Sequence, residues 1–421
     1  MHKRAIQRLL FFEGWLNREK TNPLGPEGKQ FGDYGRAVWR RVNDAIVWTV
    51  LGLERHRVKR LCLYRTRPNL LDCNPGSVMD TLDRLNREPL ALALWNDATT
   101  CVDLGDILHI RDGRRPVPEF IELKEGAVNE AVVAAMQASP EERANAEAAL
   151  REKHGEKAVR QFSRVQRQKA TAEQALLLLK DEHGVDPVTG HTISVVESGV
   201  APETYDDLLR GQLDVAASSG GGVLECVDGC LWIYAAPAGR RGAPRTVQAF
   251  AEALELKSTW YASATARFPP RDRDKLVGLN TGMAYPLAKP LYFRGLGPSH
   301  VAAVTYGAFL DNVLMYLDWD GFAELIAQAG GKLRWGTQKE AGRARAMHKN
   351  LRPSLVRGRL PIVEAHGVRA CVMDPNFVEL FYDGLRPRTL AERLVESCRD
   401  VAERSKAGER PGSPQGSRPR R

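Results

Sequence analysis

Asp106, Glu122 and Lys124 have the types and the spacing to hold a divalent cation next to a fixed positive charge. Asp106 sits in an apolar run at 102–110. Glu122 and Lys124 sit in a second run at 119–126, beyond a turn at 111–118 that contains Asp112-Gly113. Side chains alternate between the faces of a strand, so Glu122 and Lys124 project to the same side. In an antiparallel hairpin, facing residues have a constant sum of sequence numbers, and pairing Asp106 with Glu122 centres the turn at Gly113-Arg114. Turn chemistry and register agree. Two carboxylates on an otherwise apolar hairpin are costly unless charge or metal compensates them, and their oxygens suit Mg²⁺. Asp103 is the rival aspartate; its odd number puts it on the other face unless the strand carries a bulge, and it reads instead as a turn or strand-start residue.

The surrounding elements must position this hairpin. Val38, Val42, Ile46, Val47 and Val50 recur at helical spacing and predict a helix from an Asp33 N-cap to about residue 54. A second helix starts at Ser77, with Asp80 completing a capping-box pattern, and cannot pass Pro89. The run at 90–95 reads as a buried strand or core segment. Both hairpin runs are apolar on both faces apart from the named charges, which places them within a sheet covered by helices. A helix starts at 139–142, with Pro140 at its first position, and runs with a break near Gly155 to about residue 183. Arg160, Arg164 and Arg167 form one stripe on it. A strand at 193–196, a helix at 202–217 and strands at 223–226 and 231–235 follow, the last two separated by Asp228-Gly229. The order predicts one α/β lobe, with a boundary at 240–244. The second half carries strand or helix periodicity without a motif.

Length and composition suit a protein of two or three domains: 421 residues, 43% hydrophobic, 27% charged. The net charge of +9 favours polyanionic partners. Lys332, Arg334, Lys339, Arg343, Arg345, Lys349, Arg352, Arg357 and Arg359 stand against the single acid Glu340, nine against one, or +8 in one segment. A second basic cluster comprises Arg55, Arg57, Lys59, Arg60, Arg65 and Arg67, near Glu54. Either reads as a phosphate-binding surface or as a solvated face. Seven scattered cysteines predict reduced thiols inside a cell; Cys226 and Cys230 lack a second ligand pair for zinc. The N-terminus makes a poor signal peptide, and no run approaches the length of a membrane span, so a cytoplasmic location is expected. No phosphate-binding glycine loop, dinucleotide fingerprint or nucleophile elbow is present, and His191, His300, His348 and His366 are isolated.

Gly105-Asp106-Ile107-Leu108, a turn, then Ile121-Glu122-Leu123-Lys124-Glu125-Gly126 resembles the bipartite motif of the PD-(D/E)xK phosphodiesterase superfamily, the fold of many restriction and repair nucleases. The match covers about fifty residues, and Gly105 stands where that motif has proline. The resemblance implies a restriction-endonuclease-like α/β fold, a mixed central sheet flanked by helices, with an N-terminal helical addition and a C-terminal α+β addition. With the element order and the composition of the tail, the expected domains are 1–69 (helical), 70–238 (the nuclease lobe the resemblance implies) and 239–400 (α+β), followed by a disordered basic tail at 401–421. Asp106 and Glu122 then hold Mg²⁺ or Mn²⁺, and Lys124 orients water and stabilises charge growing on phosphate. Gln161 or Gln168 on the following helix completes such a site. Arg160, Arg164, Gln168, Lys339, Arg343, Arg345 and Lys349 are the expected nucleic-acid contacts.

The function expected on these grounds is a metal-dependent nuclease acting on DNA in preference to RNA, in bacterial defence against phage or foreign DNA. A homo-oligomer or a defence-system protein is the expected protein partner, with no membrane partner. The alternative is a non-catalytic nucleic-acid-binding or scaffold protein that keeps the fold.

Overall fold

The computed structural model describes residues 2–23, 25–63, 65–111, 118–123, 127–137, 142–187, 190, 192–194, 198–237, 277–279, 285, 287–306, 312–347 and 359–406. The chain is mixed α/β and divides into two units, Met1–Thr21 with Ile46–Val195, and Asn22–Ala45 with Val196–Arg421.

In the first unit, α1 (His2–Thr21) buries Ala5, Ile6, Leu9 and Leu16 along one side. Helix α2 (Pro26–Val50) crosses the division. It starts at Pro26, not at the expected Asp33 cap, because proline suits the first helical position; Asp33 lies inside it, paired with Arg36 at 2.8 Å. For the same reason α4 (Pro75–Leu85) starts at Pro75 rather than Ser77, after α3 (Arg55–Leu61). Strands β1 (Leu92–Trp95), β2 (Ile107–Ile110) and β3 (Glu119–Ile121) form an antiparallel meander in that order. Central β2 is buried at all four positions, whereas β3, at the edge, is partly exposed.

Helices α5 (Ala127–Gln137) and α6 (Arg143–Asp181) pack through Val132, Ala135, Leu150 and Phe162. Gly155, at φ 73°, makes the expected break in α6. A small hairpin, β4 (His183–Val185) and β5 (Thr192–Ser194), follows, and buried Asp186 holds Arg60 of α3 at 2.7 Å.

The second unit contains α7 (Asp206–Ser219), β6 (Val223–Val227), β7 (Leu231–Ala235), β8 (Val277–Gly278), α8 (Pro298–Tyr306), β9 (Val313–Leu317) and α9 (Trp319–Gln328). It continues with β10 (Lys332–Trp335), α10 (Gln338–Met347), β11 (Pro361–Ala365), β12 (Val368–Cys371), α11 (Asp374–Phe377) with a π turn at Val378–Tyr382, and α12 (Pro387–Lys406). Its sheets are β6-β7-β9-β8 and β10-β11-β12.

Three expectations change. The 206–235 segment belongs to this second unit, not to a lobe spanning 70–238, because β7 pairs with β9 from Leu231↔Leu317 to Ala235↔Val313 and buries Leu231, Ile233 and Ala235 against Met315, Leu317 and Phe322. Every described strand pair is antiparallel, so no mixed central sheet occurs among the described residues. The chain at 401–406 is helix, held by buried Cys398 and Ala402 of α12; the rest of the expected tail, and the 240–244 boundary, lie outside the described residues. Among the described residues no helix is long and apolar enough to cross a membrane.

Candidate active site

The register of β2 and β3 is Ile107↔Ile121, Leu108↔Phe120 and His109↔Glu119. Continued by one residue, it sets Asp106 opposite Glu122. Asp106 lies just before β2 and is held on three sides. Its N–H donates to the Ile121 carbonyl at 2.9 Å, its carbonyl accepts from Asn96 N–H at 3.0 Å, and its carboxylate Oδ2 accepts from Leu123 N–H at 2.6 Å. The last bond is short, as a charge-assisted bond should be, and brings the Asp106 carboxylate to the backbone beside Glu122. Both residues are partly buried.

Asn96 does the positioning on the β1 side, and sequence reasoning missed it. It is 1% exposed, and its Nδ2 donates to the Leu104 carbonyl at 2.6 Å and to the Gly105 carbonyl at 3.2 Å. The signal was a polar residue directly after an apolar run: a buried amide there must find backbone partners.

Gly105 has a backbone conformation of its own. Its φ is +64°, which proline cannot adopt, and a Cβ there would lie 3.1 Å from Phe120 Cβ and 3.3 Å from the Ile121 carbonyl oxygen. The close approach of β3 takes the place that a side chain would need.

Asp103 has a different task. Its carboxylate accepts from Leu63 N–H at 2.5 Å and pairs with Arg67 at 2.9 Å, fastening both residues to the 100–104 loop. Burial pushes its pKa up, against the opposing pull of Arg67 and the Leu63 amide. Arg67 also donates to the carbonyls of Val102 and Thr100, both at 2.7 Å. Most of the expected 55–67 cluster is similarly engaged: Arg60 with Asp186, Arg57 with Glu54 at 3.9 Å, and Arg55 over the Trp48 ring. It is a set of internal ties more than an open basic surface.

Lys124 and Lys349 lie outside the described residues, as does the side chain of Arg345. Arg160 and Arg164 are exposed on α6; Gln168 is partly buried, and Gln161 donates to Asn129 Oδ1 at 3.3 Å. None of their described contacts reaches Asp106 or Glu122. Lys339 and Arg343 are exposed on α10, in the second unit. Arg334, in the same basic segment, is taken up by Glu340 at 2.6 Å and Glu364 at 2.7 Å. The Arg334 hydrogen bond, with the Thr337 amide, brings the Glu340 pKa down to about 2.

His109, also unremarked in the sequence, is fully buried on β2, its Nδ1 3.3 Å from Glu119 Oε2. All seven cysteines are free thiols, and burial pushes Cys226 and Cys230 up.

By register Asp106 and Glu122 stand opposite each other, and two carboxylates so placed could hold an oxygen-preferring divalent cation. Asp106 and Glu122 present two hard carboxylates from adjacent strand ends, and one or two carboxylates completed by water and phosphate oxygens is the usual protein share of a Mg²⁺ shell. Among the described residues no group of three or more His, Cys, Asp or Glu gathers in a metal-ligand arrangement. Compared with protein-family models, with curated proteins and with solved structures, the chain matches none.

Proposed function

We propose that the meander carries the site of a metal-dependent nuclease of the PD-(D/E)xK type. The observation that carries this reading is the bond from Leu123 N–H to Asp106 Oδ2, which holds one carboxylate against the strand end that bears Glu122, in the register the motif needs. Asp106 and Glu122 would hold Mg²⁺ or Mn²⁺, which supplies neutralisation of phosphate oxygens and lowers the pKa of water. Asp106 is held by Asn96 and Leu123 before any ligand arrives, so little reorganisation remains at the moment of reaction. Lys124, two residues beyond Glu122, has the charge to stabilise the phosphate as it gains negative charge. A preference for DNA, and a role in defence against foreign DNA, rest on the resemblance alone.

The test is cleavage of plasmid and single-stranded substrates with Mg²⁺ or Mn²⁺, comparing wild type with Glu122→Gln and Lys124→Ala. Cleavage that needs the metal and is lost in both variants is expected. Undiminished cleavage in both removes the hairpin from the mechanism. Steeply salt-dependent binding without any metal-stimulated cleavage would mark a non-catalytic binder instead.

A further inference from the structure

The exposed side of α1 combines arginines with aromatic rings. Arg4, Arg8, Phe11, Trp15 and Arg18 recur at steps of four, three, four and three residues, so at about 100° per residue they fall within about 80° of arc. The three arginines and Phe11 are exposed, Trp15 is partly so, and the two rings lie 6.3 Å apart. The opposite side of the helix, Ala5, Ile6, Leu9, Glu13 and Leu16, is buried. Among the described residues Arg4, Arg8 and Arg18 form no ion pair through their side chains, in contrast with Lys3, which binds Asp83 at 2.6 Å. Glu19 is the acid at the border of the stripe. Lys3 and Arg4 also stand in the first turn, where the helix dipole disfavours cations and where α1 has no acid. Helix stability does not account for that choice.

Helix α1 begins at the candidate site's end of the sheet, which its first residue touches from the side opposite the stripe. His2 Nε2 accepts from Trp95 N–H at 3.1 Å, and the next residue, Asn96, donates its N–H to the Asp106 carbonyl. We propose that this face of α1 binds a single strand of nucleic acid and leads it toward Asp106, the arginines contacting phosphates and Phe11 and Trp15 stacking on bases. This rests on the nuclease reading for its direction but not for its chemistry. From Arg4 to Arg18 the stripe is about 21 Å long at 1.5 Å per residue. Cations with aromatic rings between them are the composition of single-strand binding surfaces. An anionic membrane fits less well: the continuous apolar side of α1 is already buried in its own unit, leaving two rings between charges.

The experiment is fluorescence anisotropy of labelled dT20 with the full chain in EDTA, so that no metal-dependent cleavage intervenes. The wild type should bind. Arg4→Ala/Arg8→Ala/Arg18→Ala should weaken binding at least about tenfold at low salt and flatten the slope of log K against log salt by about 2, at about 0.7 per phosphate contact. Phe11→Ala should weaken binding severalfold and leave that slope unchanged. Each variant is exposed on its helix, and circular dichroism checks that the fold is kept. Equal affinity of the triple variant and wild type, wild type that fails to bind dT20, or wild type that binds anionic vesicles but not dT20, would overturn the proposal. Wild type that binds through these residues yet never cleaves with metal would leave this surface standing and remove the nuclease reading.

Discussion

Replacing Asp106 separates its two tasks, because alanine and asparagine remove different things. The carboxylate accepts a 2.6 Å hydrogen bond from Leu123 N–H and would also hold the cation. Asp106→Ala takes away the acceptor and orphans a backbone donor in a partly buried position, at a cost of about 1–3 kcal/mol. Water can reach the site, so the lower half of that range applies. Asp106→Asn keeps an acceptor oxygen and loses only charge assistance, about half the strength of the bond, so its cost should stay under about 1 kcal/mol. Catalysis should respond in the opposite proportion. Loss of a carboxylate ligand is worth several kcal/mol; about 4 kcal/mol at about 1.4 per factor of ten gives about a thousandfold in rate. Asparagine should therefore fold nearly as well as wild type and cleave about a thousandfold more slowly, and alanine should lose comparable activity and also be about 1–2 kcal/mol less stable. Hydrogen exchange at the Leu123 amide, with cleavage measured on the same preparations, separates the two effects. An asparagine variant that cleaves within tenfold of wild type would refute the metal role. Asparagine and alanine variants that lose activity and amide protection in parallel would show that Asp106 acts only through structure.

Gly105→Ala should cost about 1–2 kcal/mol for the left-handed conformation and push β3 away from Asp106, because its Cβ meets Phe120 and the Ile121 carbonyl at 3.1 and 3.3 Å. A lower thermal midpoint together with weaker metal-stimulated cleavage is expected, and an unchanged midpoint would contradict the backbone geometry. The Arg334–Glu340 pair makes a prediction about pH. Glu340 has a folded pKa of about 2, below the ordinary carboxylate range, so its stabilising contribution is complete at neutral pH and disappears as pH falls towards about 2. The difference in thermal midpoint between wild type and Glu340→Gln should shrink over that window; a difference that is constant from neutral pH to pH 2.5 would exclude the depressed pKa.

What the sequence shows of this chain follows the distance over which each feature is decided. The hairpin register was legible because pairing Asp106 with Glu122 centres the connection at Gly113-Arg114, and β2 and β3 have that register, Ile107↔Ile121. The break at Gly155 was legible because a glycine in a helical run is a local event. The membership of β6 and β7 was not, since the apolar alternation of β7 fits any partner strand. The partner is β9, beyond a long stretch of intervening chain. Arg60 and Asp186, 126 positions apart, are paired for reasons that neither neighbourhood in the sequence displays. Lys124 carries half of the sequence argument for the site, and it lies outside the described residues.

A dense run of basic residues attracts attention as a phosphate surface, but cations close to acids in the fold are neutralised by them, and sequence density does not report that. Arg334 lies in the densest segment and is held by Glu340 and Glu364; Arg60 and Arg67 lie in the next and are held by Asp186 and Asp103. Arg4, Arg8 and Arg18 are too widely spaced to form a cluster in the sequence, yet helical periodicity brings them to one exposed side with two aromatic rings between them. A polyanion responds to charges that remain accessible, in a line it can follow. On that criterion the sparse helix α1 suits the proposed phosphate surface better than Arg334, Arg60 or Arg67, and it begins at the end of the sheet where Asn96 holds Asp106.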